Sequence, residues 1–406
     1  MVLLALIVLP VPVPIGLPML RLWSAVRFGW AARALRERIS AQQTQAGDLR
    51  SALALRREGV EIATRRGGYD LAFACTLYGG QLLVGGWPAE GIEYLSVADK
   101  MTAGWTRGRL RTALVGALAG AHAMRGNLPE AASLLSAMDR PERQSVPVFQ
   151  ASIFATRALS ELAAGRPQAA VDSYKAALEA AYQAAQLEQV LVINNNLAGA
   201  LIETGDLAGA EARLAAAESM KPPARLQAHL LGTRAELALA RGDLAEARAA
   251  LVRSAEVKDR IGAAGGMGWT LATRARIEAA AGNLDAAREA LREAAGRLEG
   301  ADALDAWRRA AAATGTSAEG VTLCPPAPDP LLEDAQEAAR PLREPPAWAH
   351  FGPLLLIAVG LAFAIWTVIL AGASLVPGGV NSLFWALLLL AGGFWLVRFR
   401  RRVPRR

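Results

Sequence analysis

Apolar positions follow two patterns along this chain. Near the C-terminus they run unbroken: no residue from Phe351 to Val376 is charged, and none from Val380 to Val397. About 20 apolar residues suffice for a helix to cross a bilayer, and Pro377, Gly378 and Gly379 break the run in two. The pattern predicts a transmembrane helical hairpin over 351–397, with Trp385 and Trp395 as interfacial anchors. Met1 to Leu20 also lacks charge, but Pro10, Pro12, Pro14 and Pro18 interrupt it, and proline removes a helix donor and clashes with the preceding turn. A kinked span, a re-entrant or interfacial anchor and a cleaved signal peptide all stay open for 1–20; the last lacks a basic stretch ahead of the apolar run.

Between these ends the pattern is periodic. Small apolar and larger apolar residues recur at helical spacing around a turn signature of Gly, a residue that is polar in all units but the one at Gly86-Trp87, then a helix start. The glycines are Gly86, Gly126, Gly165, Gly205, Gly242 and Gly282, with Gly47 one step earlier. Their near-constant step of about 40 residues falls in the range of helical repeat arrays. Glycine fits the position just past a helix end, where the left-handed conformation is needed, and the Asp or Asn that follows in most units fits the start of the next helix. Five residues after each glycine stands Gly91, Ala131, Ala170, Ala210, Ala247 or Ala287; nine after stands Leu95, Leu135, Tyr174, Leu214, Leu251 or Leu291. Seven before stands Gly79, Ala119, Ala158, Ala198, Ala235 or Ala275. Small residues at fixed points let two helices approach closely, and large ones fill the space beside them.

At these positions the chain resembles the tetratricopeptide (TPR) repeat family, from about Leu71 to Leu298 and more faintly back to Ala31. It departs in period, because its step exceeds the family unit of about 34 residues. Asn195-Asn196-Leu197-Ala198 followed by Gly205-Asp206 resembles the longer-repeat subgroup. A leucine-rich array fails on period and lack of strands, and a HEAT array would not give this turn signature. The expected fold class is all-α: a TPR-like α-solenoid of six to seven helical hairpins, with a C-terminal transmembrane hairpin and an N-terminal apolar segment. The divisions are a membrane segment at 1–20, repeats at 21–300, a capping helix at 301–313, a Pro-rich linker at 314–350 read as an extended tether with a short helix from Leu331 to Ala339, the hairpin at 351–397 and a basic tail at 398–406.

Charge changes the picture by its placement. The formal net charge is +7, which at first suggests nucleic acid. Five arginines and one acid lie between Arg21 and Arg38, and six arginines with no acid between Arg398 and Arg406, so the rest of the chain is slightly acidic. Basic groups flanking apolar runs mark membrane orientation rather than a nucleic-acid footprint. Both clusters imply repeats in the cytoplasm, so the chain is expected as an integral protein of a bacterial cell membrane with the lipid bilayer as one partner and no nucleic acid.

Two cysteines, Cys75 and Cys324, and three widely spaced histidines, His122, His229 and His350, give neither a disulfide framework nor a metal motif. No phosphate-binding loop, dinucleotide fingerprint or nucleophile elbow occurs. The expectation is therefore no catalytic residue, no cofactor and no metal. If the first helix of each unit lines the concave side, positions thirteen, ten, six and three before each glycine share the open face. These select Asn195, His229, Glu236, Trp269 and Arg276 as partner-binding residues: Trp269 as an aromatic anchor, Asn195 for backbone amides, Glu236 and Arg276 for charges. Arg157, Arg234 and Arg274, each in a Thr-Arg-Ala triplet, read as helix-covering residues paired with nearby acids. The resemblance implies a non-catalytic, membrane-anchored scaffold that binds a protein or peptide in its groove. A peptide-responsive regulator acting through a change in curvature is the alternative.

Overall fold

Seven glycines in the left-handed region, with φ between 70° and 86°, each end one helix and begin the next: Gly47, Gly86, Gly126, Gly165, Gly205, Gly242 and Gly282. The computed structural model describes residues 29–105, 108–138 and 147–343. The apolar segment expected at 1–20, the hairpin at 351–397 and the basic tail lie outside the described residues. Among the described residues no helix is long and apolar enough to cross a membrane.

Within the described residues fourteen helices pair into seven hairpins: α1 (Gly29–Ala46) with α2 (Leu49–Arg66), α3 (Gly68–Gly85) with α4 (Pro88–Thr102), α5 (Arg109–Met124) with α6 (Leu128–Met138), and α7 (Pro147–Ala163) with α8 (Pro167–Gln183). The last three hairpins are α9 (Leu187–Thr204) with α10 (Leu207–Ser219), α11 (Ala224–Ala240) with α12 (Leu244–Ile261), and α13 (Met267–Ala280) with α14 (Leu284–Ala295). α15 (Ala301–Thr314) covers the last hairpin, and α16 (Pro330–Ala338) follows. At the corners the residue after the glycine bonds back five residues, as in Trp87 N–H to the Leu82 carbonyl at 3.0 Å and Asp206 N–H to Leu201 at 2.9 Å; these bonds use up carbonyls orphaned at the helix end. Asp and Asn then behave differently. Asp48, Asp206 and Asp243 accept from Ser51, Gly209 and Glu246 N–H at 2.8–3.0 Å, while the Asn283 amide donates backwards to Glu278 at 2.8 Å.

The hairpins are TPR-like in packing. Ala119, Ala158, Ala198, Ala235 and Ala275 are fully buried, as are Ala131, Ala170, Ala210, Ala247 and Ala287 opposite them. Tyr174, Leu214 and Leu95 are fully enclosed beside them. The reason is steric: a Cβ added at Gly79 would lie 2.7 Å from the Leu95 side chain and 2.9 Å from the Gly91 carbonyl. Three signature positions therefore meet at one point, and two of them must be small.

The described residues fall into two compact units. In the larger, the array winds back on itself: each of the first two corners meets the hairpin five places later, at its ends or at the loop that enters it, and the third meets the start of α15. Gly47 touches Ala224 and Ile261, Gly86 touches Gly265 and Gly266, and Gly126 touches Ala301. An apolar cluster of Leu49, Ala228, Val257, Ile261 and Ala263 seals the first of these contacts. The corners at Gly165, Gly205, Gly242 and Gly282 have no neighbour within 4 Å of an added Cβ.

The stretch read as a tether is docked as far as residue 339. Cys324 N–H donates to Leu298 at 2.8 Å, and Ala327 N–H to Glu90 at 3.3 Å. Asp329 accepts both Arg57 guanidinium nitrogens, at 2.6 and 2.9 Å, and the Tyr94 hydroxyl at 2.6 Å. Leu331 and Ala335 of α16 are buried. Proline kept this strap out of a long helix, as its composition implies, but polar anchors rather than chain stiffness fix its course. In the smaller unit, the Trp105 indole donates to the Leu342 carbonyl at 3.0 Å.

Candidate partner-binding groove

Equivalent positions on the first helices of neighbouring hairpins stand one repeat apart in sequence, and a ladder of polar contacts joins them. Ser152 pairs with Gln189 at 3.3 Å, Asn195 with Thr233 at 2.9 Å, and Glu236 with Thr273 at 2.9 Å. Arg225 is bonded to Glu188 in the same register. Arg276 donates to both Glu236 oxygens at 2.7 and 2.6 Å, and both side chains are largely shielded. The structure thus places all five expected residues on three consecutive first helices, α9, α11 and α13. Asn195, Glu236 and Arg276 are engaged with neighbouring hairpins, and His229 lies on α11 between them.

Trp269 is half-buried. A Cβ on Gly232 would come within 2.9 Å of its ring, and the Lys258 ammonium lies 5.1 Å from the ring centroid. That ammonium also donates to the Thr270 hydroxyl at 2.8 Å and reaches the Gly266 carbonyl at 3.4 Å. Burial pushes Lys258 down to about 8, partly offset by the Asp302 carboxylate, because the low-dielectric surroundings disfavour the charged form. His229 is reached by solvent, yet the crowded inner wall desolvates it, and Lys258 and Arg225 repel a second positive charge. Both push its imidazole well below the ordinary histidine range. It is neutral at physiological pH and presents one donor and one acceptor.

Arg309 on α15 reaches Glu203 at the end of α9 at 3.1 Å, and both side chains are more than two-fifths exposed. The inner face expected to be open is thus crossed by an ion pair. The arginine of the second Thr-Arg-Ala triplet, Arg234, holds Glu218 at 2.9 Å and Glu211 at 3.4 Å, and Arg157 lies over the Phe154 ring at 5.7 Å.

Sequence reasoning missed Thr233, Thr273, Lys258 and Arg309. The threonines had a signal: nine residues before the glycine stand Thr156, Asn196, Thr233 and Thr273, a polar register the four open-face offsets pass over. Lys258 had none, since it sits on a second helix and its side chain packs against the start of the following first helix, at Gly266, Trp269 and Thr270. Cys75 is buried, and burial pushes its thiol up to about 12, which makes it a packing residue without thiolate character. Among the described residues no group of three or more His, Cys, Asp or Glu is placed to hold a metal ion.

No family model matches the chain, and no curated protein matches it in sequence. Its backbone is similar to BtubC (BKLC) from P. vanneervenii, at 19% identity and a TM-score of 0.36, over 69% of this chain and 95% of that one. It is also similar to a Rap protein complexed with Competence and Sporulation Factor, at 12% identity and a TM-score of 0.48, over 90% and 98% of the two chains. A third similarity is to the APC/C hetero-tetramer Cut9-Hcn1, at 13% identity and a TM-score of 0.47, over 79% and 58%.

Proposed function

We propose that this chain is a non-catalytic, membrane-anchored scaffold whose inner face, formed by α9, α11 and α13, binds a peptide segment of a partner protein. The observation that carries the reading is the register of that face. The first helices of three consecutive hairpins carry the Asn195 amide on α9, the His229 imidazole and the Glu236 carboxylate on α11, and the Arg276 guanidinium on α13, and His229 is an exposed residue. Stacked hairpins expose such repeated faces because no single unit buries its own inner surface. Anchoring rests on the uncharged runs at 351–397 and 1–20 and on the arginines beside them; it raises the local concentration of whatever the groove holds.

The test is site-specific photo-crosslinking in intact cells, with a benzoylphenylalanine placed at position 229 or, as a control, at the exposed Val252. Position 229 should yield a discrete crosslinked polypeptide and position 252 should not; equal products from both, or none from 229, would sink the groove. Reporters fused after Arg38 and after Arg406 should both read cytoplasm, and a periplasmic signal from either would overturn this orientation.

A further inference from the structure

A cavity between α1, α2 and α3 lies apart from the inner face. It is lined by the apolar side chains of Ile62, Phe73 and Leu77, by Arg33, Arg36, Arg56 and Arg66, and by the carboxylates of Glu37 and Asp70. Four cations face two anions. Arg33 is already committed: it is paired with Asp70 and Glu37 and lies 5.1 Å from the Phe73 ring centroid. Arg36 is 7% exposed and gives one guanidinium nitrogen to Glu58 at 3.3 Å. Its Nε, shielded from solvent, has no hydrogen-bond partner; the same is true of Arg56 Nε and of the carboxylate oxygen Glu37 Oε1. A buried donor left unmade costs about 1–3 kcal/mol, more when charged. Burial also holds both guanidinium groups below their ordinary range. Arg66, in the last turn of α2, is exposed at the mouth.

Unspent guanidinium donors beside an apolar wall define a ligand. Arginine presents a planar fork that matches the paired oxygens of phosphate and carboxylate, while an aliphatic surface gains by leaving water. We propose that this cavity binds a small amphipathic anion. Its phosphate or carboxylate head takes the guanidinium groups of Arg56 and Arg66, and its aliphatic tail lies against Ile62, Phe73 and Leu77. Neither a bare anion nor a neutral amphiphile meets both requirements. Two sources carry that chemistry: an acidic membrane lipid and a soluble alkyl or acyl anion.

The test uses the full chain in a neutral maltoside detergent. Octyl phosphate should bind at least tenfold more tightly than inorganic phosphate. Arg56→Gln should weaken it about tenfold or more, and the exposed Arg66→Gln, which leaves the packed interior untouched, should weaken it in the same direction. Phe73→Ala should lower affinity for octyl phosphate without changing that for inorganic phosphate. Native mass spectrometry then separates the sources: retention of dioctanoyl phosphatidylglycerol over the phosphatidylcholine analogue, lost in Arg56→Gln, identifies a lipid ligand. Octyl phosphate binding without that adduct identifies a soluble one. Equal affinity of the wild type and both arginine variants, or no preference for octyl over inorganic phosphate, overturns the proposal.

Discussion

Replacing Gly86 by alanine tests whether the array is held by contact between hairpins five places apart. Two costs arise there, and a second glycine separates them. Gly242 has φ +79° and open space around it, while Gly86 has φ +86° and backbone neighbours: a Cβ would lie 2.6 Å from Gly266 N and 2.8 Å from the Gly265 carbonyl carbon. At both sites alanine in the left-handed region costs about 1–2 kcal/mol, offset by roughly 0.4–1 kcal/mol because the unfolded chain loses freedom. At Gly86 the neighbouring loop must also retreat by roughly 0.8 Å to reach an ordinary carbon contact. Forced overpacking of that kind costs about 1–3 kcal/mol. Gly242→Ala should therefore lose about 1 kcal/mol and Gly86→Ala about 2–4 kcal/mol, with Gly126→Ala, 3.2 Å from Ala301, between them. Repeat arrays can unfold piecemeal, so urea titration by circular dichroism should be paired with amide hydrogen exchange at 262–268. Exchange there should quicken in Gly86→Ala and stay unchanged in Gly242→Ala. Equal destabilisation of the two, with unchanged exchange at that loop, would refute the stacking.

Lys258→Met should stabilise the protein at neutral pH by about 1–3 kcal/mol, since it replaces a charge whose burial is unfavourable by a side chain of similar volume. The folded-state value near 8 lies below the ordinary lysine value of 10.5. The unfolded chain therefore binds more protons between them, so wild-type stability rises with pH from about 8 to 10.5, and the variant should lack that rise. Asp329→Ala should free the strap, at a cost of about 2–4 kcal/mol for lost charge-assisted bonds, and limited proteolysis should then cut between residues 315 and 328. The Arg57 hydrogen bond holds the Asp329 carboxyl below its usual range, so docking of the strap is complete above the unfolded value near 4 and should fail as pH drops through the folded one. Arg309→Ala should change stability by less than about 1 kcal/mol, as expected of an exposed pair, and raise crosslinking at position 229; loss of the crosslink with helicity intact would contradict a groove bridged by that pair.

The hairpins were legible because their geometry is local. A glycine corner needs a residue without Cβ, and the helix pair behind it needs small residues at fixed steps, so Gly79, Gly91 and Leu95 carry the constraint in the sequence itself. The winding was not legible, because its contacts fall outside the repeat register. Gly265 and Gly266 look like an ordinary loop until Gly86 is seen to rest on them with backbone against backbone. The strap misled for a related reason. Its prolines report that it is not a long helix, but its course depends on Arg57 and Tyr94, which belong to the first two hairpins. Of the candidate residues, the helices that carry them were readable and their bonding partners were not, since helical spacing says where a side chain stands and nothing about which neighbour spends it.

That difference bears on how the inner face recognises anything. Asn195, Glu236 and Arg276 were expected as free groups awaiting a ligand, but each is bonded to a side chain on an adjacent hairpin. A peptide bound there exchanges one set of hydrogen bonds for another, so the net gain per contact is modest. Selectivity falls instead on groups left unpaired by a wrong ligand, which carry the full desolvation penalty. Glu236 is the clearest case, because removing Arg276 from it without a replacement cation would strand a shielded carboxylate. A partner that enters this face must therefore leave the Glu236–Arg276 pair intact or supply its own positive group beside it. The exposed Glu203–Arg309 bridge sets no such condition, and it is there, rather than at the shielded pair, that the face can open.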